Sequence, residues 1–193
     1  MSSVKKIGIL ETGRPPEALQ EKYGLYPDMF KNLLRPAAEE FEFHTYSVMN
    51  GDIPVSPEEC DGWIITGSPH GVYEELPWML KTEEFLRCIV EKEIPLIGVC
   101  FGHQIMAKAL GGTVEKSSKG WGLGFLDYRI TERLEWMVPS LEKITISATH
   151  QDQVVSVPPS GKIIATSDFC PHAMIAYGKN AFSIQAHPEM LGD

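Results

Sequence analysis

Apolar residues along the chain switch between two spacings. Short apolar runs stand at Ile7–Leu10, at Trp63-Ile64-Ile65-Thr66 and at Ile94–Val99, and Phe41–Val48 alternates apolar with polar. These four segments read as strands. Between them the spacing lengthens. Met29, Phe30, Leu33, Leu34, Ala37 and Ala38 keep one apolar face between Pro27 and Phe41, and Leu80, Phe85, Leu86 and Ile89 keep one between Leu76 and Glu91. Recurrence at three and four residues is helical. Pro36 inside the first helix predicts a kink or a split, because proline removes an N–H and crowds the preceding turn. Phe101–Leu110 is the third predicted helix, ended by Gly111-Gly112.

A strand–helix alternation of this kind implies a mostly parallel sheet covered on both faces. From Gly124 onward the pattern changes. Short strands are predicted at Leu126–Ile130, Ile144–Ala148, Val154–Val157, Ile163–Thr166, Met174–Tyr177 and Phe182–Gln185, separated by turn residues such as Pro158-Pro159-Ser160-Gly161. No repeat, low-complexity tract or linker interrupts them. Residues 1–193 read as one α/β domain with an antiparallel extension.

Charge and cysteine usage narrow the partners. Asp plus Glu outnumber Lys plus Arg by 26 to 17, a formal charge of −9. So acidic a surface argues against nucleic acid and against an anionic membrane as partners. The four cysteines, Cys60, Cys88, Cys100 and Cys170, form no C-x-x-C pair. A chain this long needs no disulfide to fold, so they read as reduced thiols, and the expected location is cytoplasmic. Met1–Lys6 leads straight into a strand-like run with no long apolar region, so no secretory leader is expected.

The most informative stretch is Gly98-Val99-Cys100-Phe101-Gly102-His103-Gln104, between an apolar strand and a helix. G-x-C-x-G in that context is the thiol form of a nucleophile elbow. A sharp strand-to-helix turn lifts the sulfur over the carboxyl edge of the sheet, and side chains at 98 and 102 would clash there. A free thiol, with a pKa of about 8.5, is only slightly ionised at neutral pH. A helix N-terminus and a neighbouring imidazolium favour the thiolate, and the terminal N–H groups suit an oxyanion.

A thiol nucleophile needs a base, and the base an orienting group. Six histidines are present. His103, just after the thiol on the helix, points away from the sulfur. His187 follows the strand-like Phe182-Ser183-Ile184-Gln185-Ala186 and precedes Pro188-Glu189, so Glu189 lies on the same side two residues on. Cys100, His187 and Glu189 are the candidate catalytic residues.

The elbow followed far downstream by His187-Pro188-Glu189 resembles the class I (triad) glutamine amidotransferase family, with free-standing members that include γ-glutamyl peptidases. The resemblance implies a flavodoxin-like α/β fold, a γ-glutamyl thioester on Cys100 and no metal or organic cofactor. It implies hydrolysis of glutamine or a γ-glutamyl compound to glutamate and ammonia or an amine. Thr66-Gly67-Ser68-Pro69 resembles the family loop whose backbone joins Phe101 in an oxyanion hole, with Gly67 as donor and Ser68 beside the substrate. Gln104 and the His150-Gln151-Asp152 segment resemble substrate-contacting positions. No synthase domain is fused here, so a separate synthase partner is one expectation and peptide hydrolysis another. A non-catalytic regulatory protein keeping the fold is the alternative of another class. Relatives usually continue past the point four residues beyond Glu189, so either a further segment is missing from this sequence or the site is less covered than in relatives. Trp121 reads as a loop anchor, with ligand stacking as the alternative, and Cys170-Pro171-His172 as structural.

Overall fold

The computed structural model describes residues 4–190. The elements run β1 (Lys5–Leu10), α1 (Glu17–Tyr23), α2 (Tyr26–Leu33), β2 (Phe41–Tyr46), β3 (Gly62–Ile65), α3 (Pro77–Glu91), β4 (Leu96–Val99) and α4 (Phe101–Ala109). Then follow β5 (Thr113–Lys116), β6 (Gly122–Ile130), β7 (Lys143–His150), β8 (Asp152–Ser156), β9 (Gly161–Thr166), β10 (Met174–Tyr177) and β11 (Ala181–Ile184). Among the described residues one nine-stranded sheet has the order β2-β1-β3-β4-β11-β10-β9-β6-β7, and β5 and β8 form a separate ribbon. Strands β2 to β11 in that order are parallel, and β10, β9, β6 and β7 continue antiparallel. The fold is therefore the expected mostly parallel α/β sheet with an antiparallel extension.

Strand pleating divides the core. Leu10, Trp63, Ile65 and Leu96 pack with Met79, Leu86 and Ile89 of α3 and Ile105 and Met106 of α4. Their neighbours Ile9, Ile64, Val99 and Ile184 face the other way, with Phe30 of α2. Successive strand residues point to opposite faces, so runs such as Trp63-Ile64-Ile65 must be apolar throughout.

The boundaries moved in physically explicable ways. The helix expected from Pro27 to Phe41 is split: α2 stops at Leu33 and a 3₁₀ segment, Arg35–Glu40, follows. Pro36 is the cause, having no N–H to continue the ladder. The side chains of residues 38–40, including Ala38 of the expected face, lie outside the described ones. Leu80, expected inward, is about half exposed, and Met79, Thr82 and Glu83 of α3 are buried instead. Helix α1 was not expected. It has no buried residue, so it carries no apolar stripe to read. Strand β5 was missed because only Val114 of its four residues is buried.

The parallel pairing of β4 with β11 positions the site. Val99 lies opposite Ile184, so the residues following each strand emerge side by side at one carboxyl edge. Cys100 follows one strand and Gln185-Ala186-His187 the other.

Candidate active site

Cys100 occupies the turn between β4 and α4 with φ 53° and ψ −103°. A non-glycine residue in that region is strained and must be held by its surroundings. Its N–H donates to the Ile184 carbonyl at 2.9 Å, and the Gly102 N–H donates to the Thr66 carbonyl at 3.1 Å. A Cβ on Gly102 would stand 2.4 Å from the Ile65 carbonyl oxygen, and one on Gly98 2.3 Å from Met106 Sδ. The turn therefore closes only without side chains at those two positions. Gly102→Ala is expected to lower the denaturant midpoint by the equivalent of about 2 kcal/mol or more, although alanine is the better helix former. An unchanged midpoint would show that the elbow tolerates the extra carbon.

His187 and Glu189 are buried, with His187 Nδ1 2.7 Å from Glu189 Oε1. An ionised carboxylate only accepts, so Nδ1–H is the donor and Nε2 is left for the thiol. His187 Nε2 is buried and has no hydrogen-bond partner among the described residues. A Cβ on Gly67 would lie 3.2 Å from His187 Cε1 and 3.8 Å from Cys100 Cβ, so imidazole and thiol face each other across this glycine. Burial opposes charge on His187, but the Cys100 sulfur and the Glu189 carboxylate overcome it and raise its pKa well above the imidazole value. Tyr26 stacks on the ring at 6.5 Å and 19°. Burial, then the nearby Cys100 and Glu189, push its phenol up to about 12, so it stays neutral.

Hydrogen bonds tie the loop after β3 to the loop after β1. The Thr12 hydroxyl donates within reach of the Thr66 carbonyl at 2.9 Å and the Gly67 carbonyl at 3.0 Å. Ser68 Oγ accepts from the His70 N–H at 3.3 Å. The Phe101 ring is buried and lies 5.8 Å from that of Trp78, and its backbone opens α4.

A cavity of about 380 Å³ collects Ser68, Cys100, Gln104, His150, Asp152 and His187. The residues expected to touch substrate thus share one cavity with the thiol. Gln104 spends its amide N–H groups on the Asp152 carbonyl at 3.1 Å and on Gln185 Oε1 at 3.3 Å. What it offers a ligand is its oxygen, an acceptor. His150 Nδ1 lies 3.1 Å from the Asp152 carbonyl. Burial lowers its pKa to about 4, so it is a neutral ring at physiological pH.

His103 points away from the sulfur, bonded through Nδ1 to Ser183 Oγ at 2.7 Å, and burial lowers its pKa to about 3. All four cysteines are free. Cys170 is buried with its N–H on Ser167 Oγ at 2.9 Å, and burial pushes its thiol up to about 12. Among the described residues no three His, Cys, Asp or Glu side chains converge as metal ligands. Trp121 departs from expectation. It anchors no loop: it is 61% exposed and lines the cavity, as does Tyr73.

Three cavity or contact residues went unread in the sequence. Gln185 sits two residues before His187, a same-side spacing that a strand reading offers. Lys116 lies directly opposite Asp152 on the β5–β8 ribbon, which no local pattern reveals. Tyr26 lies at the start of α2 and reaches His187 only through the tertiary fold.

An open α/β sheet that carries a cysteine at a strand-to-helix elbow, beside a buried histidine–glutamate pair, defines a thiol-dependent amidase class. The family model for glutamine amidotransferase class-I matches residues 26–192, and the chain belongs to that family. It is 29% identical over 181 residues to γ-glutamyl peptidase 3 of Arabidopsis thaliana, spanning 90% of this chain and 72% of that protein. It is 34% identical over 170 residues to one subunit of the glutamine-hydrolysing GMP synthase of Archaeoglobus fulgidus, spanning 87% of this chain and 85% of that protein. A solved glutamine amidotransferase from Thermotoga maritima superimposes with a TM-score of 0.81 at 22% identity, over 98% of this chain and 77% of that one, and shares the fold. The protein is accordingly an enzyme of the cysteine-nucleophile amidotransferase and hydrolase type. No helix among the described residues is long and apolar enough to cross a membrane.

Proposed function

We propose that this enzyme hydrolyses the γ-glutamyl amide bond of glutamine or γ-glutamyl compounds through a thioester on Cys100. The supporting observation is the buried His187 imidazole, held by Glu189 at 2.7 Å, facing Cys100 over Gly67 in one cavity with Gln104 and Asp152. The Cys100 thiolate attacks the γ-carbonyl carbon. The oxyanion so formed is met by the N–H of Phe101, the first of the helix-terminal donors with no intrahelical partner, and by that of Gly67. Collapse breaks the C–N bond, and imidazolium Nε2–H of His187 protonates the departing nitrogen. A water then gives its proton to the neutral imidazole and attacks the thioester. Glutamate leaves and the thiolate–imidazolium pair is restored.

The cavity also suits a free amino-acid head. The Asp152 carboxylate and the Gln104 oxygen accept from an α-ammonium. Lys116 faces Asp152 across the ribbon, lies over the Tyr73 ring at 5.9 Å, and supplies a cation for the α-carboxylate. In a chain of net charge −9, a cation at that place favours a zwitterion over a plain amine.

The acyl half must be held closely, since a misplacement near 1 Å costs about a hundredfold in rate. The leaving half is read loosely, because the cavity opens beside the exposed Trp121 and Tyr73. γ-Glutamyl dipeptides are therefore expected to be hydrolysed at least as well as glutamine, and α-linked glutamyl dipeptides not at all. A screen of purified protein for released glutamate tests this. A kcat/KM for glutamine far above that for every γ-glutamyl peptide would refute it.

That outcome would favour a second reading, glutamine hydrolysis on behalf of a separate ammonia-accepting synthase. Trp121, which lines the cavity, forms with Leu123 and Phe125 an alternating exposed stripe on and just before β6, at 61, 63 and 65% exposure. A partner covering that stripe would bury apolar area and close the mouth.

A further inference from the structure

Gln185 follows β11 directly and is fully buried. Its backbone N–H donates to the Ala173 carbonyl at 2.9 Å. Its side chain meets two others. Oε1 accepts from Gln104 Nε2 at 3.3 Å, and Nε2 lies 3.8 Å from Cys100 Sγ, within hydrogen-bond reach of the larger sulfur atom.

The direction of this chain is forced by its far end. A backbone carbonyl has no proton to give, so Gln104 must turn its NH₂ toward Asp152, where the contact is 3.1 Å. The second proton of that NH₂ then meets Gln185, which must answer with its oxygen. The NH₂ of Gln185 is left for the sulfur. Turning Gln104 over would set its oxygen against the Asp152 carbonyl, and turning Gln185 over would set two NH₂ groups against each other, in a buried site. Two side-chain amides in series thus convert a main-chain acceptor into a donor aimed at Cys100.

We propose that Gln185 is a positioning residue for the nucleophile: its amide N–H donates to the Cys100 sulfur, and Gln104 holds it in that orientation. The proposal rests on Cys100 being the nucleophile. A donor to sulfur favours the thiolate over the thiol and fixes the direction in which the lone pairs point. The titratable groups acting around Cys100 are His187 and Glu189 beyond β11, Tyr26 of α2, Tyr128 of β6 and Cys170. Burial keeps Tyr26, Tyr128 and Cys170 neutral, so only His187 supplies a cation there. Gln185 does not titrate and contributes its donor at every pH. It also joins the sulfur to the ligand pocket, because Gln104 and Asp152 line the same cavity.

The test is the alkylation rate of Cys100 by iodoacetamide across pH, read by peptide mapping. Wild type is compared with Gln185→Leu, Gln185→Glu, Gln104→Leu and the double leucine variant. Gln185→Leu is expected to lower the rate about tenfold near pH 7 and to rejoin wild type above about pH 10, where thiols ionise without help. Gln185→Glu keeps the shape but sets a carboxylate against the sulfur, and falls further. Gln104→Leu frees the Gln185 amide to turn and reproduces part of the low-pH loss. The double variant is no slower than Gln185→Leu alone, since both changes act through one donor. A rate unchanged at all pH values, or lowered equally at all of them, overturns the proposal by reducing Gln185 to packing. Should Gln185→Leu not fold, Gln185→Glu and Gln104→Leu carry the same comparison. Preferential labelling of another cysteine in wild type overturns the nucleophile assignment and the proposal with it, and the peptide map separates that failure from the first.

Discussion

Replacing His187 with alanine is expected to lower kcat for γ-glutamyl hydrolysis by about 10³- to 10⁴-fold, the upper range for losing a positioned acid–base group. The imidazole serves twice in the proposed cycle, as acid to the departing nitrogen and as base to the water. Its loss also leaves the Cys100 thiolate without a cation in a buried site. Glu189→Gln should cost less, since the amide oxygen still accepts from Nδ1–H at the observed 2.7 Å position while the negative charge is lost. Single-turnover acylation of each variant measures the difference. Greater damage from Glu189→Gln than from His187→Ala would reverse the two roles.

The same pair has a stability signature of definite sign. Burial disfavours the His187 cation, yet Cys100 and Glu189 together hold its folded-state pKa well above that of the free imidazole. A group raised on folding contributes stability in full below its unfolded value, about 6.5, and loses it as pH rises through the folded value. The gap in Tm between wild type and His187→Ala should therefore be widest in mild acid and narrow toward alkaline pH. A gap that widened with pH would contradict the imidazolium assignment.

Cys100 should be alkylated by a glutamine-like diazo-ketone at least about tenfold ahead of the other cysteines, and Cys100→Ala should abolish hydrolysis. Exposure alone gives the opposite order. Cys100 is 7% exposed, whereas Cys88 lies open to solvent on the outer face of α3. Cys60 and Cys170 are disfavoured by burial, which raises both thiols, Cys170 to about 12. The contest is between an accessible thiol and one set at a helix N-terminus beside an imidazolium. Peptide mapping of labelled protein decides it, and label concentrated on Cys88 would sink the elbow assignment.

Sequence reading went furthest where chemistry is local. Gly98, Cys100 and Gly102 lie within one turn, and the steric need for glycine on either side of a raised side chain is a property of that turn. The apolar runs of β1, β3 and β4 were legible because a strand buried on both faces must be apolar throughout, and Pro36 broke its helix for a reason contained in one residue. His187 and Glu189 were legible as a same-side pair following a strand. The tertiary structure alone decided what distant segments do to one another. It set β11 beside β4, which brings residues 87 positions apart to one carboxyl edge. It paired β5 with β8, which puts Lys116 opposite Asp152, and it laid Tyr26 on the His187 ring. It also turned Gln185 toward the sulfur through Gln104. Periodicity records which face of an element is buried, but not what buries it. Strand order and side-chain amide orientation depend on contacts across the whole fold, and no window of neighbouring residues contains them.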